Sequence, residues 1–578
     1  MRSLAVIPVI LFHAGASIFS GGFLGVDVFF VISGYLITGI ILPDLERGEF
    51  SLLNFYERRA RRILPALCVI VLTCVPMAWL FMLPDPLENF GQSVLATMLS
   101  LNNVLLTMTS GYWDLASEFK PLIHTWSLAV EEQFYVMFPL LLLFLHPLLK
   151  NRTIVAVWLV VIASFASSIV LVQSHPTSTF YLLHTRAWEL GIGALGAFWN
   201  HKRKVVANEA LSGIGLVLIL ASMLLFDRDT QHPSYFTLVP VLGTLLILLY
   251  AKEQTWVAKL LSIKILVGIG LISYSLYLWH QPIFSFARIL SFEEPSTSLF
   301  IGLVPITFLL AYLTWRFVEQ TFRRKSAVST PNLVISSVAT TAILCATGAS
   351  FHLGQGFPAR LFEGNHETAA GMHITYNHRI SGFNAERFDP AAGTKVLIVG
   401  NSQARDFANI FLEVKVKKEA QLIYRSGFAL CDYANLPASD VALVQQADIV
   451  FFPIVDLSAA CQNLLTTGQA EADNIVFVGP KHFGYNLNAF TRLPREGRAQ
   501  YTAKVFDNII QQNNQNALDI PANHYIDLIR YSSKDGMHVR IFDADGNIIS
   551  ADRVHITQAG ARFFADRIKS HPAFALFE

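Results

Sequence analysis

The stretch FLGVDVFFVISGYLITGIIL, Phe23–Leu42, holds one charged residue, Asp27, in twenty positions. A helix rises 1.5 Å per residue, so about 20 apolar residues cross the hydrocarbon core of a bilayer. This stretch is read as a membrane span, and stretches like it recur. From Met1 to about Leu353 they run Leu4–Ser17, Phe23–Leu42, Ile63–Leu83, Glu132–Leu149, Thr153–Val172, Ala187–Asn200, Leu211–Phe226, Phe236–Tyr250, Ile265–Ile289, Leu299–Val318 and Leu333–Leu353. The expectation is a polytopic α-helical membrane domain of about ten helices, with an eleventh as a linking helix. Phe90–Met108 is weaker, broken by Gln92, Ser93, Asn102 and Asn103, and reads as a re-entrant or surface helix.

Composition agrees. Of 578 residues 53% are hydrophobic and only 15% charged, against about 25% charged in soluble domains. That excludes a disordered chain, a coiled coil and a disulfide-stapled mini-protein. The net charge of +1 provides no field for nucleic acid, so no nucleic-acid partner is expected. Five cysteines without a CxxC pair argue against a thiolate zinc site, and neither a metal nor a bound cofactor is expected.

Charge asymmetry orients the spans. With the N-terminus in the cytoplasm, the breaks on that side hold sixteen Lys/Arg and the outer breaks three, Lys120, Arg186 and Arg228. The positive-inside rule predicts this bias. An odd number of spans carries everything beyond Leu353 to the outside. The first span resembles neither a cleaved leader nor a mere signal, because no small-x-small site follows it. Its abrupt start at Arg2 leads to the expectation of a short cytoplasmic lead-in.

Charges at membrane depth cost about 2.5–3.5 kcal/mol on insertion scales and mark function. Arg2 and His13 are eleven residues apart, nearly three turns and about 16 Å, and share a helix face. Histidine is the usual base near neutral pH, and arginine suits an anionic group. Asp27, His124, Glu131, Arg186, Glu189 and His280 lie in or beside later spans. Trp126, Trp188 and Trp279 read as interfacial belt residues. On the cytoplasmic side Arg58, Arg59, Arg61 and Arg62 form a cluster that serves either as a topology anchor or as a phosphate clamp for a soluble donor.

Six ordered segments together resemble the acyltransferase type 3 family of integral membrane O-acyltransferases. They are Arg2–x10–His13, GVDVFFVISGYLIT (Gly25–Thr38), the basic Phe55–Pro65, HTWSLAVEEQFY (His124–Tyr135), RAWEL (Arg186–Leu190) and SYSLYLWH (Ser273–His280), within about residues 1–325. The resemblance implies transfer of acetyl from acetyl-CoA to an extracytoplasmic glycan. It implies that His13 is the catalytic base and that Arg2 binds or orients the donor. It also implies a bacterial inner-membrane protein. Lipopolysaccharide O-antigen is the first acceptor expected and peptidoglycan the next.

Beyond Gly354 the chain reads as water-soluble. KVLIVGNSQARD, Lys395–Asp406, has the pattern of a buried strand, a tight turn at Gly400 and a helix opening at Ser402. Apolar runs at Ala447–Pro453 and Asn474–Val478 extend the pattern of an open α/β sheet. DRVH, Asp552–His555, comes late. A serine at a strand-to-helix turn followed by a late DxxH suggests nucleophile, orienter and base. Together they resemble the SGNH hydrolase-like domain, a three-layer α/β fold. That resemblance implies a catalytic Ser402, Asp552 and His555, with Ser402 and Gly427 supplying oxyanion amides. Asn401 stands where this family usually has aspartate, and no clear GxND block is present. The domains expected are 1–325 for the membrane domain, 326–359 for the linking helix and 360–578 for a periplasmic domain.

Cys431 and Cys461 fall in the extracytoplasmic part. A bridge would close a loop of about 30 residues, worth roughly 3 kcal/mol in the entropy model; two buried thiols are the other reading. Two rival functions share these features: a polysaccharide transporter or flippase, and a glycan deacetylase.

Overall fold

The computed structural model describes residues 1–109, 117–149, 152–361, 374–416, 418–428, 430–458, 461, 474–494, 496–550 and 552–577. Lys150, one of the sixteen basic residues on the expected cytoplasmic side, lies outside the described residues. The chain forms two compact units. One comprises Met1–Leu80, Leu87–Arg288 and Pro295–Gly354, and the other Phe81–Pro86, Ile289–Glu294 and Gln355–Glu578.

The first unit is helical, and each of the eleven apolar stretches falls on a helix. Among the described residues six helices are long and apolar enough to cross a membrane: Gly22–Glu46, Leu52–Phe81, Thr125–Leu149, Thr153–Leu171, Thr297–Arg323 and Thr330–Leu353. Arg2–His13, Glu209–Leu225 and Tyr235–Tyr250 are apolar but shorter. The twelve residues of Arg2–His13 reach about 18 Å. Leu183–Arg203 and Lys264–Ile289 are long but carry buried polar groups, among them Arg186, Glu189, Ser275 and His280. The Thr330–Leu353 helix groups with this unit.

Small residues let these helices approach closely. A Cβ added at Gly34 would lie 1.8 Å from the carbonyl oxygen of Leu190, and one at Gly193 would lie 2.0 Å from that of Val31. The glycine in the ISGYL segment is therefore a contact point between the Gly25–Glu46 and Leu183–Arg203 helices. The weak stretch Phe90–Met108 is two helices, Pro84–Met98 and Asn102–Thr109, separated at Ser100, whose φ is 56°. The asparagines that weaken its hydropathy are buried connectors. Asn102 Nδ2 donates to the Leu122 carbonyl at 3.0 Å, and Asn103 Nδ2 to that of Tyr181 at 3.2 Å.

The tryptophans expected at the interface are inside the bundle, and that reading is corrected. Trp126, Trp188 and Trp279 are all buried. Trp126 packs 4.7 Å from the Phe180 ring, and Trp279 Nε1 donates to Thr314 Oγ1 at 2.8 Å. The Trp279 indole N–H thus finds a protein partner instead of a headgroup, while Trp188 Nε1 is buried without a hydrogen-bond partner among the described residues.

The second unit is α/β. Strands β1 (Thr394–Gly400), β2 (Ala420–Ser426), β3 (Ile449–Pro453), β4 (Ile475–Val478) and β6 (Tyr525–Ile526) form an all-parallel sheet in the order β2-β1-β3-β4-β6. A two-stranded antiparallel ribbon pairs β5 (Thr502–Lys504) with β7 (His538–Arg540). Side chains alternate between two cores. Val396, Ile398 and Phe451 join Phe407, Phe411 and Phe564 on one face, while Leu397, Val399 and Phe452 join Leu443 and Val444 on the other. A parallel sheet covered on both faces needs such continuous apolar strands. The order reverses at β1, with β2 on one side and β3 on the other. Open α/β sheets bind ligands outside the carboxyl ends of the strands at this switch point.

Candidate active site

Two groups of polar residues emerge, one in each unit. In the α/β unit, β1 ends at Gly400, whose φ of +132° a side chain would strain. The chain turns there into the Ser402–Glu413 helix. Asn401 is its N-cap, its Oδ1 accepting from the Gln403 amide at 2.9 Å. Asparagine caps as well as aspartate does, so the departure at this position costs no local geometry.

Ser402 is thereby held at the switch point, almost fully buried. Its Oγ lies 3.0 Å from His555 Nε2, and His555 Nδ1 lies 2.6 Å from Asp552 Oδ2. Asp552 is itself oriented, since its Oδ1 accepts the amides of Val554 and His555, each at 2.7 Å. The carboxylate accepts a hydrogen bond from Nδ1–H, which leaves the Nε2 lone pair facing serine. This is the geometry of a nucleophile, a base and an orienter. Gly427 follows β2 directly, with φ of +72°, and a Cβ there would meet open space. On the other side of β1, β3 runs into Pro453, Ile454, Val455 and Asp456, so no asparagine stands at that strand end.

Sequence reading missed the surroundings of Ser402. Asp406 and Lys481 are buried in an ion pair of 3.0 Å, and Lys481 Nζ also donates to Gln403 Oε1. Burial pushes the Lys481 ammonium below its ordinary range, and the Asp406 carboxylate opposes that shift. His482 is pushed down to about 4, first by burial and then by the Arg553 charge. No motif spacing announces Lys481, which arrives from the loop after β4. Cys431 and Cys461 are joined as a disulfide, with Cα atoms 4.5 Å apart.

Cavities lie among the described helices of the helical unit. One of about 90 Å³ is lined by Arg2, Arg59, Arg62, Ser33, Glu131, Tyr135 and Tyr274. Another, about 760 Å³, is lined by His13, His124, Trp126, Arg228, His232, Gln281 and Arg288. Val26 and Tyr277 line both. Arg2 and His13, at opposite ends of one helix, therefore open onto different cavities.

His13 Nδ1 donates to the Val9 carbonyl at 2.9 Å, which leaves Nε2 without that proton and available as a base. The His280 ring lies 5.1 Å from the His13 ring and 5.4 Å from that of His124. Tyr277 Oη stands 2.6 Å from Ser127 Oγ and donates to the His124 carbonyl at 3.0 Å. Glu131 accepts from Ser33 at 2.8 Å.

The basic cluster divides. Arg59 and Arg62 face the smaller cavity and Arg58 is exposed. Arg61, expected with the donor-binding arginines, does not line that cavity. Its buried guanidinium reaches Glu57 at 2.9 Å, the carbonyls of Phe322 and Val328 at 3.0 and 2.8 Å, and Thr330 at 3.2 Å. These partners use its donors, so it ties helices together.

Asp27, Arg186 and Glu189 also form structure rather than a cavity wall. Arg186 Nη2 bonds Asp27 at 2.7 Å and Glu189 at 3.0 Å, and Nη1 reaches His232 Nε2 at 3.0 Å. The Arg186 guanidinium lies over the rings of Phe30, Trp126 and Phe180. His232 was not visible as a site residue because it sits in a polar loop. Among the described residues no group of three His, Cys, Asp or Glu is arranged to hold a metal ion.

A family model described as an acyltransferase domain matches residues 1–316. The peptidoglycan O-acetyltransferase OatA of Listeria monocytogenes is 32% identical over 347 residues, 57% of this chain and 56% of that protein. The O-acetyltransferase OatA of Staphylococcus aureus is 32% identical over 344 residues, 56% of each. The chain thus spans about half the length of the curated relatives it matches. No solved structure matches it.

Proposed function

The chain belongs to the acyltransferase type 3 family, and from that premise we propose that it moves acetyl from cytoplasmic acetyl-CoA across a bacterial inner membrane to a hydroxyl of an envelope glycan. The observation that carries this reading is the pair of cavities that share Val26 and Tyr277, with arginines on one and His13 on the other. Guanidinium groups of Arg2, Arg59 and Arg62 suit the phosphates of a CoA donor. His13, with its proton held on Nδ1 by Val9, is the base that activates the acetyl acceptor in the membrane unit.

The α/β unit, read as an SGNH-like periplasmic domain, then completes the transfer. Ser402 Oγ attacks the acetyl carbonyl while His555 Nε2 takes its proton and hands it to the departing group. A sugar hydroxyl attacks the resulting acetyl-serine, and its proton returns through His555 to Ser402. Amides at the Ser402 turn and at Gly427 stabilise the oxyanion. The acceptor is lipopolysaccharide O-antigen or peptidoglycan, and the relative named for peptidoglycan favours the latter.

The same triad is chemically complete for hydrolysis, so deacetylation is the second reading. O-acetyl content of both glycans, measured by NMR in a deletion strain, separates them. Lost acetyl that wild type restores and His13→Ala does not supports transfer, and the glycan affected names the acceptor. Gained acetyl supports removal. Unchanged acetyl with altered glycan export favours a transporter.

A further inference from the structure

Ser402 and His555 come from chain segments 153 residues apart. Their 3.0 Å approach therefore depends on something that ties the segments together. The Ser402–Glu413 helix holds Ser402 at its first position and Asp406 one turn later, on the same face. Asp406 Oδ2 accepts the amide of Ile556, the residue after His555, at 3.1 Å. Lys481 reaches that same oxygen at 3.0 Å and also donates to Gln403, the residue after Ser402. Arg405 Nη2 approaches the other oxygen at 3.4 Å. One buried cation thus contacts the neighbour of the nucleophile and, through one carboxylate, the neighbour of the base.

We propose that Asp406 and Lys481 form a strut that sets the distance between Ser402 Oγ and His555 Nε2, which makes both positioning residues for acyl transfer. The proposal rests on the reading of Ser402 as nucleophile. A buried ion pair is a poor device for stability alone, because desolvation cancels much of its Coulomb energy; holding a register is its better-attested use. Here the pair is fully enclosed, and its hydrogen bonds end on backbone and side chains that flank the two reacting groups. A shift of about 1 Å at such a site costs on the order of a hundredfold in rate.

The test uses the full chain in detergent, an aryl acetate ester and a serine-directed fluorophosphonate. Asp406→Ala is expected to lower kcat at least tenfold with KM within twofold. It is also expected to speed hydrogen exchange in the peptide that contains the Ile556 amide. Asp406→Asn keeps an oxygen for that amide and should recover at least half of the loss on a logarithmic scale, with exchange near the unsubstituted value. Lys481→Met, which leaves the Asp406–Ile556 bond in place, should lose several-fold in kcat and provides the reading if Asp406→Ala does not fold. Activity within twofold in Asp406→Ala and Lys481→Met, while Ser402→Ala is inactive, would overturn the strut. Absence of turnover and of Ser402 labelling in the unsubstituted chain would overturn the nucleophile reading and the positioning role together, and is told apart by that control.

Discussion

The two units use buried charge in opposite ways. In the helical unit the buried charges meet one another: Arg186 pairs with Asp27, Glu189 and His232, and Arg61 is bonded to Glu57, two carbonyls and Thr330. In the α/β unit the Ser402–His555–Asp552 line ends on a serine hydroxyl at the mouth of a sheet. Within a bilayer an unpaired charge is so costly that arginines and carboxylates pair with one another, whether or not they also take part in chemistry. Arg2, Arg59, Arg62 and His13, by contrast, line cavities. In a water-soluble fold, local caps and strand ends position reactive groups without that constraint. Intramembrane charge is thus a weaker guide to chemistry than charge that lines a space.

The largest effect expected sharpens the α/β side of this contrast. Ser402→Ala and His555→Ala should each lower ester turnover on the order of 10⁴-fold, with the double variant little worse, because the members of such a unit are non-additive. Rates for the three variants check this, and additive losses would break the triad reading. The helical side is tested by Arg186→Leu. It leaves two carboxylates buried without their cation, which costs about 3–5 kcal/mol. Folded protein in detergent should fall sharply, as read by size-exclusion yield and thermal midpoint. A well-folded but inactive variant would instead make the cluster a functional site.

A third test concerns pH. His482 titrates at about 4 in the fold against 6.5 when unfolded, so the unfolded state binds more protons between these values. Stability therefore rises with pH across this window and is lost as pH falls from 6.5 towards 4. The whole contribution is about 3 kcal/mol. His482→Gln should flatten that limb in denaturant titrations of the α/β unit, and an unchanged acid limb would remove the assignment.

The smallest effect divides the arginines. Lysine keeps charge but loses the bidentate fork. Arg59→Lys and Arg62→Lys should raise the acetyl-CoA requirement several-fold, and Arg58→Lys should not. Arg61→Lys should lower thermal stability by about 1–3 kcal/mol, from lost bonds to buried carbonyls, with the donor requirement unchanged. Equal behaviour of all four would return the cluster to a topology anchor.

Apolar runs, the sixteen-to-three charge bias and the KVLIVGNS pattern were sufficient to read a helical membrane part followed by an open α/β part. They suffice because hydrophobic length and the two-residue strand period are local properties of a chain. Ser402, Asp552 and His555 were legible for a similar reason: a turn glycine, an N-cap and a DxxH spacing are short-range signals. The other assignments needed distant contacts. Tertiary structure alone separated Arg61 from Arg59 and Arg62, since all three lie within four positions and differ only in the direction each faces from its helix. It alone brought His232 to Arg186 and moved the tryptophans inward. It alone joined Lys481 to Asp406 across 75 residues. Which charge meets which partner is decided by packing between segments remote in sequence, and no local pattern encodes that choice.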